Sequence, residues 1–94
     1  MIINYTGQDA TGVGVQFVDA PTGVRAVFVD ANTGRSTMSN SDALEAGGAG
    51  TATIAFPVGL PAGDYFLAAQ LSGQKLAQTV KFHATGEPPT ELPP

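Results

Sequence analysis

Residues 13–23 and 24–34 are two consecutive copies of one pattern, VGVQFVDAPTG and then VRAVFVDANTG. Seven of the eleven positions are identical: the leading Val, the Phe-Val-Asp-Ala block and the closing Thr-Gly. In each copy an alternating apolar run (Val13, Val15, Phe17; Val24, Ala26, Phe28) meets a cluster of Asp, Pro or Asn, and Gly. Apolar residues at every second position line one face of a strand and cannot line one face of a helix. The clusters carry the residue types that reverse a chain. This stretch is therefore confined to β structure. Two readings follow: successive strands of a meander that share one turn solution, or a duplicated binding loop at 19–23 and 30–34. Two copies of so short a period do not make a solenoid, so the meander is the expectation.

The same signals recur along the chain. Met1–Tyr5 reads as a first strand, Val13–Val18 and Val24–Val29 as the next two, and Arg35–Met38 as a weak fourth. Thr51–Phe56 alternates with Ala52, Ile54 and Phe56 inward. Tyr65–Leu71 is apolar on both faces, as a central strand is. Lys75–Ala84 reads as one long last strand, with Leu76, Val80 and Phe82 on the core face and Lys75, Thr79, Lys81 and His83 opposite. Ser72-Gly73-Gln74 is its hairpin turn. Only Asp42-Ala43-Leu44-Glu45, followed by Gly47, has the spacing of a helix cap, and it has room for one turn. The predicted core is Phe17, Phe28, Ile54, Phe56, Tyr65, Leu67, Val80 and Phe82.

Ninety-four residues make one domain, read as 1–85, followed by an extended proline-rich arm, 86–94. The arm, Gly86-Glu87-Pro88-Pro89-Thr90-Glu91-Leu92-Pro93-Pro94, cannot extend a sheet, because proline donates no ladder hydrogen bond. It is expected to lie extended on the domain itself or on a neighbouring subunit.

Leu60-Pro61-Ala62-Gly63-Asp64-Tyr65 joins a Leu, a Pro/Gly turn and a Tyr that enters a strand. It resembles the tyrosine corner of immunoglobulin-like and fibronectin type III-like sandwiches, with Leu60 and Tyr65 in the two packing roles. From Val27 to Phe82 the chain is similar to the immunoglobulin-like domains of flagellar hook-cap proteins and to the sorting tails of type IX-secreted proteins. The likeness rests on Asp30-Ala31-Asn32-Thr33-Gly34-Arg35, on Leu60 to Tyr65 and on Gly73-Gln74. These are turn and core residues, so the resemblance implies an all-β, immunoglobulin-like β-sandwich of about seven antiparallel strands. It implies no sorting role, because a sorting tail finishes on its last strand and here a proline-rich segment follows it.

Chemistry is sparse. Without cysteine there is no thiolate nucleophile and no cysteine metal site. His83 is the one histidine, and neither G-x-S-x-G nor H-E-x-x-H occurs. Asp30-x-Asn32-x-Gly34 opens like a calcium loop, but its glycine comes one place early and the twelfth position is Ser41 where a bidentate Glu is needed. A turn is the preferred reading. The alternative is a weak cation shared with Asp19, which holds the equivalent place in the first copy. Thr11-Gly12-Val13-Gly14 lacks the lysine of a phosphate loop. No catalytic residue, cofactor or metal is assigned, and the chain is read as not an enzyme.

Association is what remains. Charged residues make up 13% of the chain and the net charge is −4, which argues against nucleic acid or an anionic membrane as partner. The Val13–Val18 strand has no charge, although edge strands are ordinarily defended by charge. It is read as an edge covered by a partner or by the chain's own N-terminal strand or tail. The candidate partner-binding residues are Gln16 and Val18 on this strand, and Glu87, Pro88, Pro89, Glu91 and Leu92 in the arm. The expected function is a structural module that binds protein subunits of a larger assembly, or further copies of itself. A phage virion accessory (capsid decoration or tail component) is the leading reading, assembled in the host cytoplasm because the N-terminus lacks a signal peptide. The alternative is a cell-surface or secreted adhesion module that binds glycan or protein through loops 19–23, 30–34 and 57–63.

Overall fold

The computed structural model describes residues 1–40, 48–57 and 59–85. The one-turn helix expected at 42–45 and the proline-rich arm lie outside them. Eight strand segments follow in order: β1 (Ile2–Gln8), β2 (Gly12–Ala20), β3 (Arg25–Asp30), β4 (Ser36–Asn40), β5 (Gly48–Ala55), β6 (Gly63–Leu71), β7 (Gln74–Gln78) and β8 (Phe82–Ala84). One sheet has the order β1-β2-β5 and the other β4-β3-β6-β7, with β8 also paired to β6. All pairings are antiparallel, so the chain is an all-β sandwich.

The core lies between the sheets. Val13, Val15 and Phe17 of β2 face Ala26 and Phe28 of β3, all of them buried. The two repeat copies therefore present the same inward pattern from opposite sheets. Phe28 meets the edge of Phe82 at 6.2 Å between centroids and lies tilted against Phe56 at 5.9 Å. Tyr5 stacks on Phe82 at 5.6 Å and ties β1 to β8. Burying each such ring removes enough apolar surface from water to contribute about 2–3 kcal/mol. Of the predicted core, Phe17, Phe28, Ile54, Tyr65, Leu67 and Phe82 are buried and Phe56 is half-buried.

Val80 is the exception, at 66% exposed, while Thr79 is buried. The last strand is not continuous. Ala68 pairs with Gln78, yet Tyr65 pairs with Phe82, so the 79–81 stretch carries one residue more than β6 opposite it. Thr79 closes this bulge. Its amide donates to the Leu67 carbonyl at 2.9 Å, while its hydroxyl accepts from the Leu67 amide at 3.1 Å and donates to the Val80 carbonyl at 2.9 Å. The hydroxyl does the work of a missing ladder carbonyl, which is why a polar residue is tolerated at a core position. The extra residue turns Val80 outward. β7 and β8 are two halves of one edge strand, so the sandwich has seven strand positions.

The meander expected from the repeat does not form. β2 pairs with β1 and β5, whereas β3 pairs with β4 and β6, so the first copy's turn crosses between sheets. The second copy's turn does close a hairpin. Asp30 Oδ1 accepts from the amides of Asn32 at 2.7 Å and Thr33 at 3.2 Å, and the Asp30 amide donates to the Arg35 carbonyl at 2.9 Å. At the position of Asn32 the first copy has Pro21, which has no amide hydrogen to give Asp19. Asp19 instead takes a left-handed conformation, φ 54°, in a stretch where the β2–β5 register shifts. Pro21 thus removes the Asx-turn hydrogen bond that the second copy's hairpin uses.

At the entry to β6, the Tyr65 hydroxyl donates to the Pro61 carbonyl at 2.7 Å and Leu60 is buried. This is the corner expected from the sequence. Burial, followed by the nearby Asp30 charge, raises the Tyr65 pKa above its usual value near 10. A raised folded-state value means that the neutral phenol contributes stability in full below the unfolded pKa, and that this is lost as pH rises through the folded one. Stability of the native protein should fall as the solution is taken above about pH 10. Tyr65→Phe should cost about 1 kcal/mol at pH 7 through the lost hydrogen bond, and its unfolding midpoint should decline less steeply in alkali. Equal alkaline slopes for the two proteins would assign the pH dependence elsewhere.

Candidate interaction surface

The outward side of the β1-β2-β5 sheet is built from residues that alternate with the core positions. The register lines up Asn4, Gln16 and Thr51 in one row, and places Gly14 beside Thr53 in the next. Ile2 pairs with Val18 at the far end. Asn4, Thr6, Gln16, Thr51, Thr53 and Ala55 are exposed and Val18 is half-buried. Apart from Asp19 near the end of β2, the three strands of this sheet carry no charged residue. The described acids sit at strand ends and turns: Asp9 between β1 and β2, Asp19 and Asp30 at the ends of β2 and β3, and Asp64 at the start of β6. Two of them, Asp9 and Asp30, accept hydrogen bonds from the backbone of their own turns. Asp9 Oδ1, for example, accepts from the Thr11 hydroxyl at 2.6 Å and the Thr11 amide at 2.7 Å, and these bonds lower its pKa.

Gln16 and Val18 are thus on an outward face, but the reason given for choosing them does not hold. β2 is the central strand of its sheet, covered by β1 on one side and β5 on the other. The chain's own N-terminal strand, β1, is one of the covers expected. Among the described residues the edges are β1, β4, β5 and the β7/β8 strand. Lys75, Lys81 and His83 all lie along β7/β8. β1 is packed against that strand through Tyr5 on Phe82, and the Gln8 side-chain Nε2 donates to the His83 carbonyl. The long, uncharged edge is β5, GAGTATIA, which sequence reasoning passed over. The signal was present as eight residues without charge or proline, but nothing local said that this strand would be outermost. The arm residues Glu87, Pro88, Pro89, Glu91 and Leu92 lie outside the described residues.

The loops do not form one surface. The Ala31 amide donates to the Asp64 carbonyl at 2.9 Å, so loops 30–34 and 57–63 share one end of the sandwich. Loop 19–23 is at the other end, where a Cβ added at Gly23 would come within 3.6 Å of Leu71. Asp19 and Asp30 are separated by the length of β3, about 20 Å for six residues, and cannot share a cation. The Asp30 carboxylate is engaged by its own turn, as the preferred reading held. His83 Nδ1 lies 3.1 Å from Asp64 Oδ1, with both side chains open to solvent at 66% and 42%. The pair lies in the open rather than in an enclosed site. Among the described residues no group of three or more His, Asp or Glu is placed to hold a metal. No helix of the described residues is long and apolar enough to cross a membrane.

No family model, no curated protein and no solved structure matches the chain.

Proposed function

We propose that this chain is a non-enzymatic assembly module, an immunoglobulin-like sandwich that binds protein subunits of a larger particle, as a capsid decoration or tail component of a phage virion does. The observation that carries the reading is the uncharged outer face of the β1-β2-β5 sheet, with Asn4, Gln16, Thr51 and Thr53 across it in a chain of net charge −4. Desolvating amides and hydroxyls that can be paired across a contact is far less costly than desolvating charge, so such a face is suited to being covered. The immunoglobulin-like assignment is supported by crossovers between the sheets at β2–β3, β4–β5 and β5–β6 and by the Tyr65 corner. The likeness to hook-cap and sorting-tail domains contributes the sandwich alone. The step to a virion is an analogy at the level of fold. On this reading Gln16 and Val18 contact a neighbouring subunit, and the 86–94 arm extends that contact.

Fractionating a lysate of the producing cells on a density gradient tests the proposal. The chain is expected in the particle band at a fixed ratio to the main structural protein. Gln16→Lys should reduce its occupancy about tenfold or more by burying an unpaired charge. Removal of residues 86–94 should also weaken incorporation while leaving the circular dichroism of the sandwich unchanged. Recovery only in the low-mass fractions would overturn the reading. An adhesion module is the second reading, favoured by the shared end of loops 30–34 and 57–63, and binding of the chain to intact cells would support it.

A further inference from the structure

We propose that two copies of this chain pair through β5, edge to edge and antiparallel, so that their three-stranded sheets join in the order β1-β2-β5-β5-β2-β1. The backbone direction comes from one hydrogen bond. The Phe56 amide donates to the Thr11 carbonyl at 3.0 Å, which makes Thr11 and Phe56 a hydrogen-bonded pair. In an antiparallel ladder such pairs alternate, so Ile54, Ala52 and Gly50 turn their amides and carbonyls toward β2. Thr53 and Thr51 then turn theirs outward. Among the described residues no strand lies on that side. The regular β2–β5 pairing runs from Gly50 to Ala55, long enough to template another strand.

Two of the other edges are managed, and the third, β4, also without charge, is shorter at five residues against eight. β7/β8 carries Lys75, Lys81 and His83 and the bulge at 79–81, both of which discourage pairing. β1 is packed against that same strand. β5 has no charge, no proline and no bulky outward side chain: Thr51, Thr53 and Ala55 are exposed and small.

A second copy is the occupant that this edge fits. On a two-fold axis the central residue meets its own equivalent and the flanking residues pair crosswise, so a charge at the centre, or like charges on both sides of it, would face a like charge. An edge that recognises a different chain has no such restriction and gains selectivity from charge complementary to its partner. β5 is free of charge over its whole length, so it meets that condition and offers a foreign strand no charge by which to be selected. An axis at Ala52 sets Thr51 of each copy opposite Thr53 of the other. The outward amides and carbonyls are then satisfied, and a Thr–Thr pair forms on the outer face. The inference stands on the edge geometry and is independent of what particle the chain joins.

Light scattering coupled to size-exclusion chromatography, over a dilution series of the whole chain, tests it. The expected mass is about 19 kDa, twice the 9.5 kDa of one chain, giving way to the monomer on dilution. The double variant Thr51→Lys/Thr53→Lys should raise the dissociation constant about 100-fold or more, because like charges would meet across the axis. Val80→Lys, at an exposed position on the β7/β8 strand of the other sheet, should leave the dimer intact. Amide hydrogen exchange on the unaltered chain covers the case in which the double variant does not fold: Thr51 and Thr53 should exchange more slowly as concentration rises, and other strand-edge amides should not. A monomer at high micromolar concentration, a dimer that survives the double variant while folded, or concentration-independent exchange at Thr53 would each overturn the proposal. A dimer absent from particles would remove the virion reading and leave this one standing.

Discussion

Phe28→Ala is expected to destabilise the protein by about 3–5 kcal/mol, the range for emptying a fully buried aromatic site. A domain of this length has a total stability of about 5–14 kcal/mol, so the variant will be close to unfolding or largely unfolded at 37 °C. Phe28 is completely buried, on the strand between β4 and β6. Its ring contacts Phe56 and Phe82, and Phe82 in turn stacks on Tyr5. Removing it empties the junction where three aromatic rings from β1, β8 and the end of β5 converge. None of these strands can move inward without breaking its own ladder, so the cavity will collapse poorly. Phe17, at the matching place in the first repeat copy, is 8% exposed and lies near the arch between the sheets. Phe17→Ala should cost about 1–2 kcal/mol less, since solvent can fill part of the space. Urea unfolding of both variants at constant m-value measures the difference. Equal costs would show that repeat position rather than depth sets the energetics.

Gly12→Ala should cost about 2–3 kcal/mol, a drop of about 10–20 °C in Tm, although it adds only one methyl group. A Cβ at Gly12 would lie 2.3 Å from the Ile54 carbonyl oxygen and 2.9 Å from Ala55 Cα. Both are backbone atoms of the paired strand β5, so relief requires β2 and β5 to separate. Gly14 is the control. A Cβ there would meet Thr6 Oγ1 at 2.7 Å, which is a side-chain oxygen on an exposed residue. Thr6 can rotate away, and Gly14→Ala should change stability by less than about 1 kcal/mol, because the restricted unfolded chain offsets part of the strain. Thermal unfolding of the two variants side by side decides the matter. A Gly14→Ala protein as unstable as Gly12→Ala would place the constraint in local backbone conformation rather than in the approach of β5.

Some of this is written locally in the chain and some is not. The strands follow from alternation, and so do most of the inward residues, because side chains in a strand point to opposite faces whatever lies beside them. The Tyr65 corner is equally legible, since donor and acceptor are four residues apart. Val80 was misplaced because the alternation assumed one unbroken strand. The extra residue at 79–81 is defined only against β6, and no feature of Lys75–Ala84 alone announces it. The Asp-Ala-Pro-Thr-Gly and Asp-Ala-Asn-Thr-Gly turns read alike as reversals. That the first crosses between sheets depends on which strands β2 and β3 find, though Pro21 in place of Asn32 marks the difference.

The candidate surface divides in the same way. The scarcity of charge on the strand faces is visible in the sequence, and it pointed to association before any strand was placed. Which uncharged strand stands at the edge is a matter of pairing order. Val13–Val18 and Thr51–Ala55 look equally undefended in isolation. Only the assembled sheet encloses the first between β1 and β5 and leaves the second outermost.

By itself, then, the sequence determined that the described regular segments of this chain are β, which residues face inward in each uninterrupted strand, and that its strand faces are poor in charge. These depend on period, turn residues and composition, all of which act within a few residues. The tertiary structure decided that the repeat spans two sheets, that Thr79 rather than Val80 enters the core, and that β5 presents the open edge. Each of those depends on hydrogen bonds between residues far apart in the chain, whose partners are chosen when the whole core closes.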